Sequence, residues 1–288
     1  LRHGTLTMQL PNGDTHCFGN GALPHAAMTL KNWKVCGAAL KSGDIGFAES
    51  YIAGDWTTPN LTTLIQVLVR NRREVEDVIH GSWAGRLLYR LRHLLHRNSK
   101  VNSRKNIHAH YDLGNAFYEL WLDDTMNYSS AWFDGDLTQP MQAAQHAKVR
   151  RALRMVNAQP GDRVLEIGCG WGGFCTHAAR EHGCRMTCLT ISEEQLKYAT
   201  ERVKREGLDH LIEIRLQDYR HVTGQFDKIA SIEMLEAVGE AYVDAYFAKC
   251  HEVLKPNGLL AFQVITVPDC RYANLKRGVD WIQKHIFP

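Results

Sequence analysis

Two short stretches of the chain hold the residues best suited to chemistry. The first, Asn127-Tyr128-Ser129-Ser130-Ala131-Trp132-Phe133, sets two small hydroxyls in an aromatic frame. No base stands beside Ser130 in sequence to make it a nucleophile, so its hydroxyl reads as a hydrogen-bonding wall of a site. The second, Val164-Leu165-Glu166-Ile167-Gly168-Cys169-Gly170-Trp171-Gly172-Gly173-Phe174, places glycines between an apolar strand and a helix. Missing Cβ atoms at such a bend let a ligand lie against the backbone. A purely structural glycine turn that binds nothing is the plain alternative.

Gly168, Gly170 and Gly173 also satisfy G-x-G-x-x-G, a dinucleotide motif that is weak evidence alone. A nicotinamide enzyme needs an acidic residue at the end of its second strand to hold the ribose. That strand here reads Cys188-Leu189-Thr190-Ile191, and the acids Glu193 and Glu194 fall inside the next helix. Glu166, two residues before the first glycine, instead completes E-x-G-x-G-x-G, the arrangement of methyltransferases that use S-adenosylmethionine. Asp218-Tyr219 closes the third strand, where an adenine would be held. The spacing therefore favours S-adenosylmethionine over a nicotinamide cofactor.

The elements that must position these residues follow from periodicity. From Arg163 onward strands and helices alternate: RVLEIG, a helix from Gly172 to His182, RMTCLTI, a helix from Ser192 to Glu206, LIEIRLQ, FDKIASIE, a helix from about Ala241 to Leu254, and GLLAFQVI. This alternation predicts a parallel, doubly wound α/β sheet. Ser192 followed by Gln195 predicts a capping box, and Gly207 a helix end. Upstream, turn signals at Pro11-Asn12-Gly13-Asp14, Gly19-Asn20-Gly21, Lys41-Ser42-Gly43-Asp44 and Gly54-Asp55 predict a small α+β domain over residues 1–75. Residues 76–106 read as a basic helical linker. Trp83, Leu87, Leu91, Leu94 and Leu95 recur at helical spacing beside Arg86, Arg90, Arg92 and Arg97, with no acid between Gly81 and Asn106. Such a helix either packs its leucines between two domains or lies on an anionic membrane surface. Residues 107–288 form the sheet domain.

Composition sets wider bounds. The 288 residues are 44% hydrophobic and 23% charged, as expected of a soluble two-domain protein, and a net charge of +3 gives no argument for nucleic acid. The eight cysteines include no C-x-x-C pair, and Cys169 lies inside the glycine loop, so reduced intracellular thiols are expected. No run of about 18 apolar residues and no export signal is visible, which predicts a cytoplasmic protein.

The motifs HYDLGNAFYELWLD (His110 to Asp123), NYSSAWF, VLEIGCGWGGF, LTISEEQ (Leu189 to Gln195), DYR (Asp218 to Arg220) and SIEMLEAVG (Ser231 to Gly239) together resemble the cyclopropane-fatty-acyl-phospholipid synthases and the related mycolic acid methyltransferases. The segment GDIGFAESYIAGDW (Gly43 to Trp56) resembles the accessory domain of the phospholipid-acting members. The resemblance implies a class I Rossmann-like methyltransferase sheet with a smaller N-terminal α+β lipid-binding domain. It places S-adenosylmethionine on Tyr128, Ser129, Gly168, Cys169, Gly170, Thr190, Ile191, Gln195, Asp218, Tyr219 and Ile232. The implied reaction moves a methyl group from the sulfonium to a cis double bond of an acyl chain, with no metal, and leaves a carbocation on the chain. Glu236, Tyr128, Trp132 and Phe133 would stabilise that charge. Cyclopropane-forming members bind bicarbonate as base through a Cys, a Glu, a His, a Tyr and an Ile backbone group. The matching positions are Ser130, Glu236, Gln263 and Ile265, and the Tyr falls beyond the last residue given. Ser130 and Gln263 can still hydrogen-bond an anion, yet without the imidazole the product stays open between a cyclopropane and a methyl-branched or methylene chain. The implied partners are phospholipid acyl chains at the inner face of the membrane, met peripherally, together with a homo-oligomeric copy. A non-catalytic lipid-binding protein is the competing class.

Overall fold

The computed structural model of the chain describes residues 1–72, 74, 114–277 and 281–285. These fall into two compact units, one within Leu1–Arg97 and Pro268–Ile286, the other within Asn98–Val267. The basic helix expected at 83–105 lies outside the described residues, as does the start of the HYDLGNAFYELWLD motif.

The first unit is a four-stranded sheet in the order β2-β1-β3-β4, from β1 (Thr5–Gln9), β2 (Thr15–Gly19), β3 (His25–Leu30) and β4 (Trp56–Thr57). β1 runs antiparallel to β2 and parallel to β3. Three of the four predicted turn signals fall between elements. The fourth falls within Lys34–Ile52, where Gly43, at φ 59 and ψ −134, leaves helical geometry and joins two helices across a kink. A residue without Cβ can take that conformation, so the sequence signal for a turn becomes a bend. Trp56 is the buried centre, stacked 4.4 Å from Phe47 and donating its indole N–H to the Ser50 hydroxyl at 3.1 Å. Residues 268–286, read from sequence as the end of the second domain, group with this first unit, where Lys284 and His285 both meet the Glu49 carboxylate.

The second unit carries a five-stranded sheet in the order β7-β6-β5-β8-β9, with every paired neighbour parallel. Its strands are β5 (Arg163–Ile167), β6 (Arg185–Thr190), β7 (Ile212–Leu216), β8 (Phe226–Ile232) and β9 (Leu254–Gln263). The order reverses beside β5, so the ends of β5, β6 and β8 open a crevice of the kind that binds ligands in such sheets. Alternation along β5 divides the core. Val164 packs in one apolar cluster with Cys188 and Phe174, while Leu165 and Ile167 pack in another with Leu189 and Phe226. Glu166 shares the face of Val164, which drives its carboxyl into the interior at 2% exposure.

Helix starts and stops obey local chemistry with one departure from expectation. Ser192 caps Glu193–Arg205 by accepting from the Gln195 N–H at 3.3 Å, but the Gln195 side chain does not complete the box. The Thr190 hydroxyl accepts the Ser192 N–H at 3.1 Å and itself donates to Gln195 Oε1 at 2.9 Å. A hydroxyl at the strand end has taken the donor that the glutamine would otherwise have bonded.

Candidate active site

One cavity in the second unit is lined by all eleven residues to which the resemblance assigns the cofactor: Tyr128 and Ser129 from the upstream loop, Gly168, Cys169 and Gly170 after β5, Thr190, Ile191 and Gln195 after β6, Asp218 and Tyr219 after β7, and Ile232 at the end of β8. They come from five separate segments, and the parallel sheet brings them together because every contributing strand ends on the same edge.

The glycines are there for different reasons. A Cβ at Gly168 would sit 2.9 Å from the Met234 side chain, and the residue is at φ +83. Gly170 has open space around it, but its φ of +53 favours glycine, and no side chain intrudes on the cavity. A Cβ at Gly173 would lie 2.5 Å from the Thr125 carbonyl oxygen and 2.8 Å from the Asn127 amide, so this glycine lets the helix Gly173–His182 pack against the segment leading into NYSSAWF. The same segment is pinned by Arg202, which donates to the Thr125 carbonyl at 2.7 Å, and Trp171 donates its indole N–H to Asn115 at 2.7 Å.

Electrostatics mark the floor of the cavity. Burial pushes the Glu166 carboxyl up to about 7, opposed by the Cys188 and Cys175 thiols and by Lys148. Its Oε2 is buried with no hydrogen-bond partner among the described residues. Lys148, 4% exposed, is held down to about 8 by burial, against the pull of Glu233, Asp123 and Glu166, and its ammonium donates to the Ser129 hydroxyl. Asp218 loses to burial but gains more from Arg220, whose guanidinium and backbone N–H both donate to it, so its carboxyl stays below the ordinary range. An orphaned buried carboxylate oxygen, bare glycine backbone and an acid at the end of β7 fit a ligand carrying both an ammonium or sulfonium group and a ribose-linked base.

A second group of residues forms beside this cavity. Ser130 donates both its N–H, at 2.9 Å, and its hydroxyl, at 3.0 Å, to Glu233 Oε1. Gln263 Nε2 donates to the same oxygen at 2.7 Å and to the Ser130 hydroxyl at 3.0 Å. Glu236 instead accepts from the Ile265 N–H, and Ile265 itself is 72% exposed. Ser130, Gln263, Glu236 and Ile265 are not among the residues that line the cavity, whereas Glu233 is.

Sequence reasoning missed Glu233 and Lys148. Glu233 sits at φ 48 directly after β8, and a non-glycine residue there carries strain of about 1–3 kcal/mol, a cost that structures keep mostly at functional positions. Lys148 had a readable signal: in the helix Met141–Met155 it falls between Ala144 and Ala152 on a face of small buried residues, where a lone lysine needs a partner. One expectation needs correction. The Arg151 guanidinium lies 4.0 Å over the Trp132 ring, so that ring already meets a cation and is a poor stabiliser for a second. Tyr128, tilted against Tyr118 and edge-to-face with Trp121, keeps its place in the cavity wall.

Comparison with known proteins agrees with this fold. The family model described as mycolic acid cyclopropane synthetase matches residues 98–288. The tuberculostearic acid methyltransferase UfaA1 of Mycobacterium tuberculosis is 40% identical over 256 residues, covering 86% of this chain and 59% of that protein. The cyclopropane-fatty-acyl-phospholipid synthase of Escherichia coli K12 is 36% identical over 271 residues, covering 93% of this chain and 67% of that one. Among solved structures, the mycolic acid cyclopropane synthase CmaA1 complexed with SAH and CTAB superposes with a TM-score of 0.60 at 30% identity, covering 64% of this chain and 68% of the other.

Proposed function

The chain belongs to the mycolic acid cyclopropane synthetase family, and on that premise we propose that it is an S-adenosylmethionine-dependent methyltransferase acting on the cis double bond of unsaturated acyl chains in membrane phospholipids. The observation that carries this reading is the cavity in which the glycine loop, the Glu166 carboxyl and the ends of β6 and β7 converge beside Tyr128 and Ser129. When bound, S-adenosylmethionine supplies an electrophilic methyl group on a sulfonium. The residues of this chain do the rest. Gly168 and Gly170 leave backbone open to the ligand, Glu166 offers a carboxylate to its cationic part, and Thr190, Gln195 and Asp218 offer hydrogen-bonding groups around the base and ribose. Tyr128 presents a π face where positive charge passes from sulfur to the acyl chain.

The phospholipid substrate is supported by the 36% identity to a phospholipid-acting synthase across 93% of this chain, including the N-terminal α+β unit. That unit would serve as the lipid-binding domain, in a protein working peripherally at the inner face of the membrane as a monomer or homo-oligomer. Among the described residues no helix is long and apolar enough to cross a membrane. Ser130 and Gln263 hold a carboxylate of the protein itself, and the product stays open between a cyclopropane and a methyl-branched or methylene-bearing chain. Incubation with vesicles of unsaturated phospholipid and methyl-labelled cofactor, followed by mass spectrometry of the acyl chains, tests the reading. Labelled acyl chains are expected. Vesicle binding with no label transferred would point to the non-catalytic lipid-binding protein, and binding of NADH without S-adenosylhomocysteine would remove the cofactor assignment.

A further inference from the structure

The Ser130, Glu233 and Gln263 cluster extends the methyltransferase reading, on which it rests, to the group that ends the reaction. Three donors, the Ser130 N–H, the Ser130 hydroxyl and the Gln263 amide, converge on one oxygen of one carboxylate, Glu233 Oε1. The Glu233 backbone N–H is in turn fixed on the Gln263 carbonyl at 2.8 Å, so the residue is held to β9 through both its main chain and its side chain. Its second oxygen takes no hydrogen bond among the described residues, and the residue lines the same cavity as Tyr128, Ser129 and Ile232. The charge is felt in that cavity: the Tyr128 hydroxyl is shifted up by burial first and by Glu233 second.

Carboxylate and bicarbonate are close chemical relatives, planar groups that spread one negative charge over oxygens on a trigonal carbon. Donors arranged around one will take the other, and a fixed carboxylate repels and displaces the free anion. We propose that Glu233 is the resident base of this site, a covalently attached carboxylate that fills the place of a captured bicarbonate and accepts the proton that ends the reaction. In that step the π pair of the acyl double bond forms the new carbon–methyl bond as the sulfur–methyl bond breaks with its pair left on sulfur, and the second alkene carbon becomes cationic. Glu233 then takes one proton from the new methyl group. The pair of the broken C–H bond closes a three-membered ring onto the cationic carbon. Alternatively, after a 1,2-hydride shift has moved the cation to the methyl-bearing carbon, that pair forms the carbon–carbon double bond of a methylene branch on the open chain. Either way one proton rests on Glu233, from which solvent removes it, and no reductant is consumed.

The test uses the full chain with vesicles of dioleoyl phosphatidylglycerol and dioleoyl phosphatidylethanolamine, and the variants Glu233→Gln and Glu233→Gly. Glycine accepts the positive φ at this position, so the second variant keeps the backbone where the first only neutralises the charge. For the unaltered protein, product formation in carbonate-free buffer is expected to match that with added bicarbonate. Glu233→Gln is expected to lose about a hundredfold or more in product formation, the scale of a removed general base, while binding S-adenosylhomocysteine within about threefold by calorimetry. Added formate or bicarbonate should restore part of the rate to Glu233→Gly. A readout free of turnover accompanies these: carbon-13 NMR of labelled bicarbonate with the cofactor-free protein should show binding to Glu233→Gly and none to the unaltered chain. Bicarbonate that binds or accelerates the unaltered protein overturns the proposal, as does Glu233→Gln at full speed. If the unaltered protein binds S-adenosylhomocysteine but leaves every acyl chain unmodified, the methyltransferase reading falls and the catalytic role of Glu233 with it. The NMR comparison still separates that failure from a wrong assignment of the anion site.

Discussion

The glycine-loop cavity and the Ser130 cluster lie side by side, yet they are built from sequence in opposite ways. The cavity floor is made of backbone, and backbone geometry is set locally: Glu166 to Gly173 specify it within one strand–turn–helix passage. The cluster is made of side-chain tips from three places. Ser130 and Glu233 are 103 residues apart, and Gln263 lies 30 residues beyond Glu233. A site formed from backbone tolerates few residue types at each position, whereas one formed from side-chain tips can exchange them so long as charge and hydrogen bonds still close. The first should therefore break under small steric changes, and the second should respond to changes of charge.

The largest effect is expected at Gly168 and Gly173. At Gly168→Ala a Cβ would stand 2.9 Å from Met234 on a residue at φ +83, and at Gly173→Ala it would stand 2.5 Å from the Thr125 carbonyl. S-adenosylhomocysteine affinity is expected to fall by about a hundredfold or more in either variant, equivalent to about 2.7 kcal/mol, as measured by calorimetry. Gly170→Ala, with open space around it, should lose less, because only the φ preference is violated. Equal losses at all three would show that a bare backbone, rather than packing, is what each glycine provides.

That contrast also explains what was legible beforehand. The parallel sheet, its order of strands and helices, and the glycine loop could be read because period-two and helical patterns, glycines and motif spacing are short-range signals, whereas the eleven residues around the cavity were assigned as a set only by the family resemblance. Gly43 was legible as a short-range signal too: its lack of a Cβ lets the backbone leave helical geometry where two helices meet at a kink. Glu233, by contrast, was invisible. In Ser231-Ile232-Glu233-Met234-Leu235-Glu236 two acids follow one strand, and only the left-handed twist at Glu233 and the hydrogen bond from Ile265 to Glu236 decide which of them reaches Ser130. No local pattern encodes that choice.

Ser130→Ala and Gln263→Ala sharpen the comparison from the other side. Each removes one donor from Glu233 Oε1 without touching the glycine loop. Product formation is expected to fall about tenfold in each, with S-adenosylhomocysteine binding changed by less than about twofold, because an oriented base loses its aim before it loses its charge. The double variant should lose less than the product of the two single losses, since both act through one carboxylate. Full additivity would show that the two side chains serve separate groups.

A pH titration probes the cavity floor with an effect of similar or smaller size. The Glu166 carboxyl is raised from 4.5 to about 7 by burial, so in the ligand-free protein its contribution to stability is fully present below about pH 4.5 and is lost as the pH rises through 7. A cationic ligand reverses the preference by favouring the carboxylate. S-adenosylmethionine affinity should therefore rise with pH between about 6 and 8, by at most about tenfold, with a proton released on binding near pH 7. Calorimetry in buffers of different ionisation enthalpy reads that proton directly. In Glu166→Gln both the slope and the released proton should vanish. If they persist, another group in the cavity titrates, and Lys148, held down to about 8, is the next candidate.

The smallest effect separates folding from binding inside the cavity itself. Ser192 caps the helix Glu193–Arg205 through a single bond at 3.3 Å, while Gln195 is held independently by the Thr190 hydroxyl at 2.9 Å. Ser192→Ala should thus cost about 1 kcal/mol or less of stability, the usual loss of an N-cap, seen as a drop of a few degrees in Tm. Its S-adenosylhomocysteine affinity should stay within about twofold, because Thr190 continues to orient Gln195. Gln195→Ala should do the reverse: the backbone N–H that Ser192 accepts is kept, so the cap survives, but a polar group of the cavity wall is removed and binding weakens several-fold. If Ser192→Ala weakened binding as much as Gln195→Ala, the cap and the cavity would be one mechanical unit. Even this backbone-built part of the site would then depend on side-chain bonds, as the Ser130 cluster does.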